Sequence, residues 1–191
     1  MRIIAGRFKG ARLPTLRGKT VRPTTERVRE AVFNILGPVV EGARILELFA
    51  GSGAFGFEAF SRGAASVVFV DKDKKAAATI AQAARMLGLK DSSSILVMDA
   101  SRAVEKLARA GERFSIIYLD PPYDTGWIAK IMNAPALTTL FTADGVLLVE
   151  KGIHTPDSPL SNEFRKRLVR QYGDTLVEIL DFTGAPMKED L

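Results

Sequence analysis

Several segments of this chain are apolar through four consecutive positions, among them Val67-Val68-Phe69-Val70, Ile116-Ile117-Tyr118-Leu119 and Val146-Leu147-Leu148-Val149. A strand with one face in water alternates polar and apolar residues, whereas a strand without a polar face must be covered on both sides. Between the runs the apolar spacing is helical, as at Ala77, Ile80, Ala81, Ala84 and Leu87. Strands alternating with helices that cover both faces specify a parallel sheet with right-handed crossovers. The expected fold is therefore doubly wound α/β, and 191 residues suffice for one such domain with a small addition.

The elements can be placed along the chain. Strands are expected at Ala43–Phe49, Ser66–Asp71, Ser94–Met98, Phe114–Asp120 and Gly145–Glu150. Helices are expected at Gly53–Arg62, Lys74–Leu87 and Ala100–Arg109, with one or two more before Leu140. Leu168–Tyr172 and Leu176–Phe182 flank Gly173-Asp174-Thr175 and read as an antiparallel pair. Ahead of the first strand, residues 2–5 and 8–13 read as a short hairpin around Gly6-Arg7. A loop over 14–23 then leads to a helix from Thr24 to Leu36, which Gly37-Pro38 ends. The predicted division is residues 1–37 as a basic extension and 38–191 as the α/β domain.

Composition removes several chemistries. Cysteine is absent and His154 is the single histidine, which excludes thiolate nucleophiles and Cys-type metal sites and argues against any metal centre. No apolar run approaches the ~18 residues of a membrane span, and the N-terminus lacks the apolar stretch of a signal peptide, so a cytoplasmic location is expected; a monomer is the expected state. The charge is concentrated. Residues 1–30 hold nine Lys or Arg against Glu26 and Glu30, a net +7, which leaves −2 for the rest of a +5 chain. Arg2, Arg7, Lys9, Arg12 and Arg22 are the candidates for gripping a polyanion, most simply nucleic-acid phosphates. Phe8 among them could stack on an unpaired base.

The segment Glu47-Leu48-Phe49-Ala50-Gly51-Ser52-Gly53-Ala54-Phe55-Gly56 sets G-x-G-x-x-G between a strand and a helix. Glycines there permit a tight turn and let a ligand approach bare backbone. Asp71 follows twenty residues after Gly51, at the end of the next strand, where a carboxylate can accept from two ribose hydroxyls. An adenosine-containing cofactor is expected. Glu47 would repel a pyrophosphate but suits the ammonium of S-adenosylmethionine, and Asp99 ends the third strand where it could accept from an adenine amine. Ser52, Lys72 and Ala100 complete the candidate cofactor residues. No Gly-Lys-Ser/Thr follows the turn, and no tyrosine has a lysine four residues on, so neither a triphosphate loop nor a short-chain dehydrogenase is indicated.

Asp120-Pro121-Pro122-Tyr123 directly follows the fourth strand, at the carboxyl end where doubly wound sheets bind ligands. An exocyclic base amine is a poor nucleophile because its lone pair is delocalised into the ring. The Asp120 carboxylate and the Pro121 carbonyl could hold its two hydrogens and favour a tetrahedral nitrogen. The prolines stiffen that carbonyl, and Tyr123 offers a face for the base. Adenine N6 in DNA, a dinucleotide-dependent oxidoreductase and a non-enzymatic RNA-binding module are the rival readings.

These residues resemble class I S-adenosylmethionine-dependent methyltransferases acting on nucleobase amines. Arg2-Ile3-Ile4-Ala5-Gly6-Arg7-Phe8-Lys9-Gly10 and Arg22-Pro23-Thr24-Thr25-Glu26-Arg27-Val28-Arg29-Glu30, with Glu47–Gly56, Asp71 and Asp120–Tyr123, look like the bacterial RsmD family. That resemblance implies a seven-stranded Rossmann-like sheet with the last strand antiparallel. It also implies methylation of guanine N2 in small-subunit ribosomal RNA, within a small-subunit particle. By position it assigns the methionine part of the cofactor to Glu47, Gly51 and Gly53, and the ribose to Asp71. It assigns the adenine to Asp99 and the Ala100 N–H, and the guanine to Asp120 and Tyr123. The family commonly has Asp where this chain has Glu47, a longer side chain of the same charge.

Overall fold

The computed structural model describes residues 1–16, 23–122, 125–156 and 162–184. Arg22, Tyr123 and the tail after Gly184 lie outside them. The chain divides into two compact units, Met1–Ala100 and Ser101–Leu191.

The first unit contains α1 (Pro23–Leu36), β1 (Arg44–Leu48), α2 (Ala54–Ser61), β2 (Ser66–Asp71), α3 (Lys74–Met86) and β3 (Ser93–Val97). Between α1 and β1, Gly37–Val40 forms a single 3-10 turn. β1 and β2 run parallel, with Leu48 opposite Val70, and β2 and β3 run parallel, with Asp71 opposite Val97. The carboxyl ends of three strands are thus level. Burial explains the apolar runs: Val67, Phe69 and Val70 are fully buried, while β3, at the sheet's edge, is half-exposed. Phe57 of α2 packs on Phe69 of β2 at 5.1 Å between ring centres, and Phe33 of α1 stacks on Phe55 at 4.7 Å.

The second unit contains α4 (Ala100–Arg109, whose first residue belongs to the first unit), β4 (Phe114–Leu119), α5 (Trp127–Met132), α6 (Pro135–Thr138), β5 (Phe141–Gly152), β6 (Phe164–Tyr172) and β7 (Thr175–Phe182). β4 and β5 are parallel, and β7 is antiparallel to both β5 and β6. The seven-stranded order is β3-β2-β1-β4-β5-β7-β6, so the expected class I arrangement with its antiparallel last strand is the fold. Phe141 anchors this unit against Phe164 and Phe182, 5.3 and 5.0 Å away. β6 starts four residues before the expected Leu168, because Arg165 and Arg167 both ion-pair with Asp181 of β7, and Lys166 pairs with Glu178. Tyr172 and Thr175 are themselves paired, so the turn is the two residues Gly173-Asp174, with Gly173 at φ +59°.

The N-terminal segment departs from the expected hairpin. Its pairing is Met1 with Leu13, Arg2 with Arg12 and Ile3 with Ala11, with turns between, rather than two strands meeting at Gly6-Arg7. The reason lies in α2. Glu58, fully buried, accepts the N–H groups of Ile4 and Ala5 at 2.8 and 3.0 Å and the Arg62 Nε–H at 2.8 Å. The Ser61 carbonyl accepts from Arg7 N–H, while its hydroxyl accepts from Phe8 N–H and donates to the Ala5 carbonyl. Backbone groups that a β-ladder would use are thereby committed to a helix. Arg29 of α1 adds a clamp, donating to the Arg2 carbonyl while its Nε lies 3.8 Å from Glu58. Gly6, at φ +80°, runs so close to Ser61 that a Cβ would fall inside that carbonyl group.

Two outcomes follow from this docking. Glu58→Ala leaves a buried guanidinium and two N–H groups without their acceptor, so unfolding experiments should show a loss of about 3–5 kcal/mol. Gly6→Ala should detach residues 1–13 without melting the sheet. Hydrogen exchange is then expected to accelerate at Ile3, Ile4, Ala5 and Leu13 while β2 amides stay protected.

Candidate active site

The turn after β1 is built by two carboxylates. Asp71, at the end of β2, accepts the Gly51 N–H on Oδ2 at 2.8 Å and the Asp73 N–H on Oδ1 at 2.8 Å. Glu47 accepts the Gly56 N–H on Oε2 at 2.8 Å from within β1. Between these two pins the chain passes through Phe49 at φ +60°, Gly51 at +56° and Gly53 at +74°, and Gly53 caps α2. Phe49 is the single described residue other than glycine with a positive φ, a strained conformation of the kind that collects at functional turns.

The three glycines differ in purpose. A Cβ on Gly51 would meet nothing within 4 Å, so bare backbone there faces open space. A Cβ on Gly53 would come within 2.9 Å of the Phe57 and Phe69 rings, and one on Gly56 would collide with Phe69 and Glu47. Gly53 and Gly56 therefore let α2 close on β2, and Gly51 is the position that leaves room for a ligand.

Glu47 is 2% exposed. Burial pushes its carboxyl up to about 8, against the opposing pull of the Gly56 and Phe55 N–H groups and of Arg29, with Asp71 adding to the rise. Asp71 is half-buried and keeps acceptor capacity beyond its two backbone donors. Asp99 is half-buried and Ala100 buried, just beyond β3, and the Met98 N–H donates to the Asp71 carbonyl, tying the two strand ends together. Ser52 is half-buried and its hydroxyl lies 3.8 Å from the Met1 sulfur, whereas Lys72 is exposed. The first unit thus gathers Glu47, Gly51, Ser52, Gly53, Asp71, Asp99 and Ala100 at its strand ends. An adenosine-bearing ligand fits this set: open backbone at Gly51, a carboxylate beside it and a second carboxylate one strand over.

In the second unit, Asp120 and Pro121 follow β4 directly, Asp120 half-buried and Pro121 buried. Pro122 is exposed, and its carbonyl accepts from the Thr125 hydroxyl at 2.6 Å. One group here escaped the sequence reading. Glu150 of β5, 8% exposed, accepts the Tyr118 hydroxyl at 2.6 Å. A carboxylate closing the apolar run Val146–Val149 was the available signal. Of the basic residues, Arg2, Arg7, Lys9 and Arg12 are all exposed, and the Arg7 guanidinium covers the Phe8 ring at 4.6 Å. His154 is exposed in the turn after β5, and Phe141 is core.

The family model described as Conserved hypothetical protein 95 matches residues 1–181. The chain belongs to that family. It is the RsmD family whose motifs the sequence resembles. A Bacillus subtilis (strain 168) relative, named as a candidate rRNA methyltransferase, is 38% identical over 150 residues, 78% of this chain and 82% of its own. The "Ribosomal RNA small subunit methyltransferase D" of Escherichia coli (strain K12) is 38% identical over 133 residues, 70% of this chain and 65% of that protein. A solved Escherichia coli structure, described as a candidate methyltransferase, is 27% identical with a TM-score of 0.86, covering 97% of this chain and 99% of that one. Among the described residues no helix is long and apolar enough to cross a membrane.

The raised Glu47 carboxyl has a consequence for stability. Its ordinary value is 4.5, and in the fold it is about 8. Between those values the unfolded chain releases a proton that the folded chain keeps, so rising pH favours unfolding, and the effect is complete above about 8. Glu47→Gln carries no such proton. Wild type should therefore lose roughly 3–5 kcal/mol relative to this variant between pH 4 and pH 9. Denaturant titrations at several pH values check it, and parallel profiles for the two proteins would refute it.

Proposed function

We propose that this chain transfers a methyl group from S-adenosylmethionine to the exocyclic N2 amine of a guanine in small-subunit ribosomal RNA. The observation that carries the reading is the turn itself. Two carboxylates pin a turn whose Gly51 faces open space, in a chain of this family whose fourth strand leads directly into Asp120-Pro121-Pro122. Ribosomal RNA as the substrate class is supported by the names of the relatives and by the exposed cations of residues 2–12.

When bound, the cofactor supplies an electrophilic methyl carbon on a sulfonium. The chain's own residues do the rest. Gly51 leaves the backbone open to the methionine part, with Glu47 and Ser52 at the same turn. Asp71 receives the ribose hydroxyls on its remaining lone pairs, beside exposed Lys72, and Asp99 with the Ala100 N–H receives the adenine. At the other motif Asp120 and the Pro121 carbonyl accept the two amine hydrogens, which aims the nitrogen lone pair away from the ring. Pro122 fixes the loop by holding the Thr125 hydroxyl, and Tyr123 is proposed as the stacking face. As the new N–C bond forms, the methyl–sulfur bond would break with its electron pair left on a neutral thioether, the nitrogen would become acidic, and its proton would pass to Asp120 or water. A guanine must leave its stack to reach this loop, so an extruded or unpaired base is the expected substrate. Arg2, Arg7, Lys9, Arg12 and Arg22 are proposed to hold the RNA backbone. We assign residues 1–37 to RNA contact and 38–191 to catalysis, in a cytoplasmic monomer acting on a small-subunit particle.

Mass mapping of nucleosides in ribosomal RNA from cells lacking the protein should reveal one guanine without its N2 methyl. Purified wild-type protein should restore it, and Asp120→Ala should lower transfer by about 100-fold or more while calorimetry shows unchanged cofactor affinity. Full transfer by that variant, or tight binding of NAD in place of S-adenosylmethionine, overturns the reading. Methyl-adenine in DNA as the product would replace guanine with the rival substrate. Neutralising Arg7 and Lys9 together should reduce the salt slope of RNA binding by about two without changing which base is modified.

A further inference from the structure

Residues 1–13 carry a single aromatic side chain, Phe8, and it is not one of the segment's buried anchors. Those are Ile3 and Leu13, 2% and 5% exposed. Phe8 is larger than either and stays half-buried. A lone apolar side chain at a surface is ordinary. What sets this one apart is how completely its backbone is fixed. Five consecutive main-chain N–H groups around it are engaged. Arg7 donates to the Ser61 carbonyl at 2.8 Å and Phe8 to the Ser61 hydroxyl at 2.9 Å. Lys9 donates to the Gly6 carbonyl at 3.1 Å, Gly10 to that of Ile3 at 2.9 Å and Ala11 to that of Phe8 at 3.0 Å. On this rigid mount the Arg7 guanidinium lies over the Phe8 ring, 4.6 Å from its centre, and Arg7 itself is exposed. A cation held against a ring gives one position to a side chain that otherwise samples many rotamers.

We propose that Arg7, backed by the Phe8 ring, is a stacking platform for an unpaired base of the RNA, separate from the guanine that is methylated. The inference rests on the RNA reading above and deepens it: the segment recognises single-stranded RNA by its bases as well as by its charge. A guanidinium is planar, so it can offer a face to a base while the N–H groups on its edge donate to a phosphate of the same strand. Every base has a π face, so such a contact tolerates any sequence but needs the base to be free of a pairing partner. Lys9 and Arg12, exposed on the same segment, supply attraction to phosphates that is indifferent to pairing. Because the turn is fixed before RNA arrives, little ordering of the protein opposes the stack.

The test titrates the full chain with two ten-nucleotide probes of equal charge, an oligoadenylate and a ribose-phosphate chain that lacks bases. Wild type should bind the oligoadenylate about five- to a hundredfold more tightly, the range expected for one stacked base. Arg7→Lys keeps the charge and loses the plane. It should lower that ratio by about fivefold or more, while the dependence of affinity on salt stays as in wild type. Phe8→Leu keeps an apolar side chain and removes the ring beneath the guanidinium, and it should lower the ratio as well. Hydrogen exchange at Ile4 and Ala5 reports whether the segment stays docked. Arg7→Lys alters none of the main-chain bonds, so it decides the question alone if Phe8→Leu loosens the segment. An unchanged ratio in Arg7→Lys, or a wild type that does not distinguish the probes, overturns the platform and leaves the methyl-transfer reading standing. That reading is tested separately, by methyl transfer from wild type to small-subunit ribosomal RNA, and failure there removes it whatever the probes show.

Discussion

The structure turns on two carboxylates that bracket one glycine turn. Asp71 holds the Gly51 N–H from β2, and Glu47 holds the Gly56 N–H from β1. Removing either would free a backbone that passes through three left-handed residues in five positions, Phe49, Gly51 and Gly53. Such a path is unfavourable in isolation, and it persists because its neighbours over-determine it. The same bonds set where α2 starts, and Gly53 and Gly56 let that helix close on Phe69. Helix position, turn shape and the open face of Gly51 are therefore one construction. A buried Glu47 whose carboxyl is pushed up to about 8 is the cost, and it is consistent with a site that gives up stability to keep its shape.

What could be read from the chain follows from what kind of signal each feature leaves. The parallel strands were legible because burial on both faces leaves no polar residue in Val67–Val70 or Val146–Val149. The start of β6 was not, because a sheet edge tolerates Arg165, Lys166 and Arg167, and their partners Asp181 and Glu178 lie on another strand. The glycine motif announced a turn but could not say which glycine clears a ligand and which clears a ring; Phe57 and Phe69 decide that, and both lie outside the motif. Asp120-Pro121-Pro122 was legible by type and place. Glu150 was hidden because its partner Tyr118 lies on another strand, and sequence spacing does not encode which strands are neighbours.

Glu58 shows the same limit from the other side. It sits in Ala54-Phe55-Gly56-Phe57-Glu58-Ala59-Phe60, an almost wholly apolar helix, where a carboxylate must find buried donors. That requirement was visible. The identity of the donors was not, since they are main-chain N–H groups of Ile4 and Ala5, more than fifty residues away. Backbone donors carry no side-chain signature. The antiparallel pairing of residues 1–3 with 11–13 does not close at Gly6-Arg7 for this reason: the amides there are engaged by Glu58 and Ser61.

This mode of attachment bears on the proposed RNA contact. The N-terminal segment docks on α2 through Ile4, Ala5, Arg7 and Phe8 main-chain groups, so its charged side chains take no part in holding it down. Arg2, Arg7, Lys9 and Arg12 remain exposed while the chain that carries them is fixed. A flexible basic arm loses conformational freedom on meeting a polyanion, and that loss subtracts from affinity. Here the ordering is completed during folding, by bonds to a buried carboxylate that an RNA cannot compete for. The cations are left with one unfilled requirement, a counter-charge, and a phosphate backbone meets it with little further ordering of the segment.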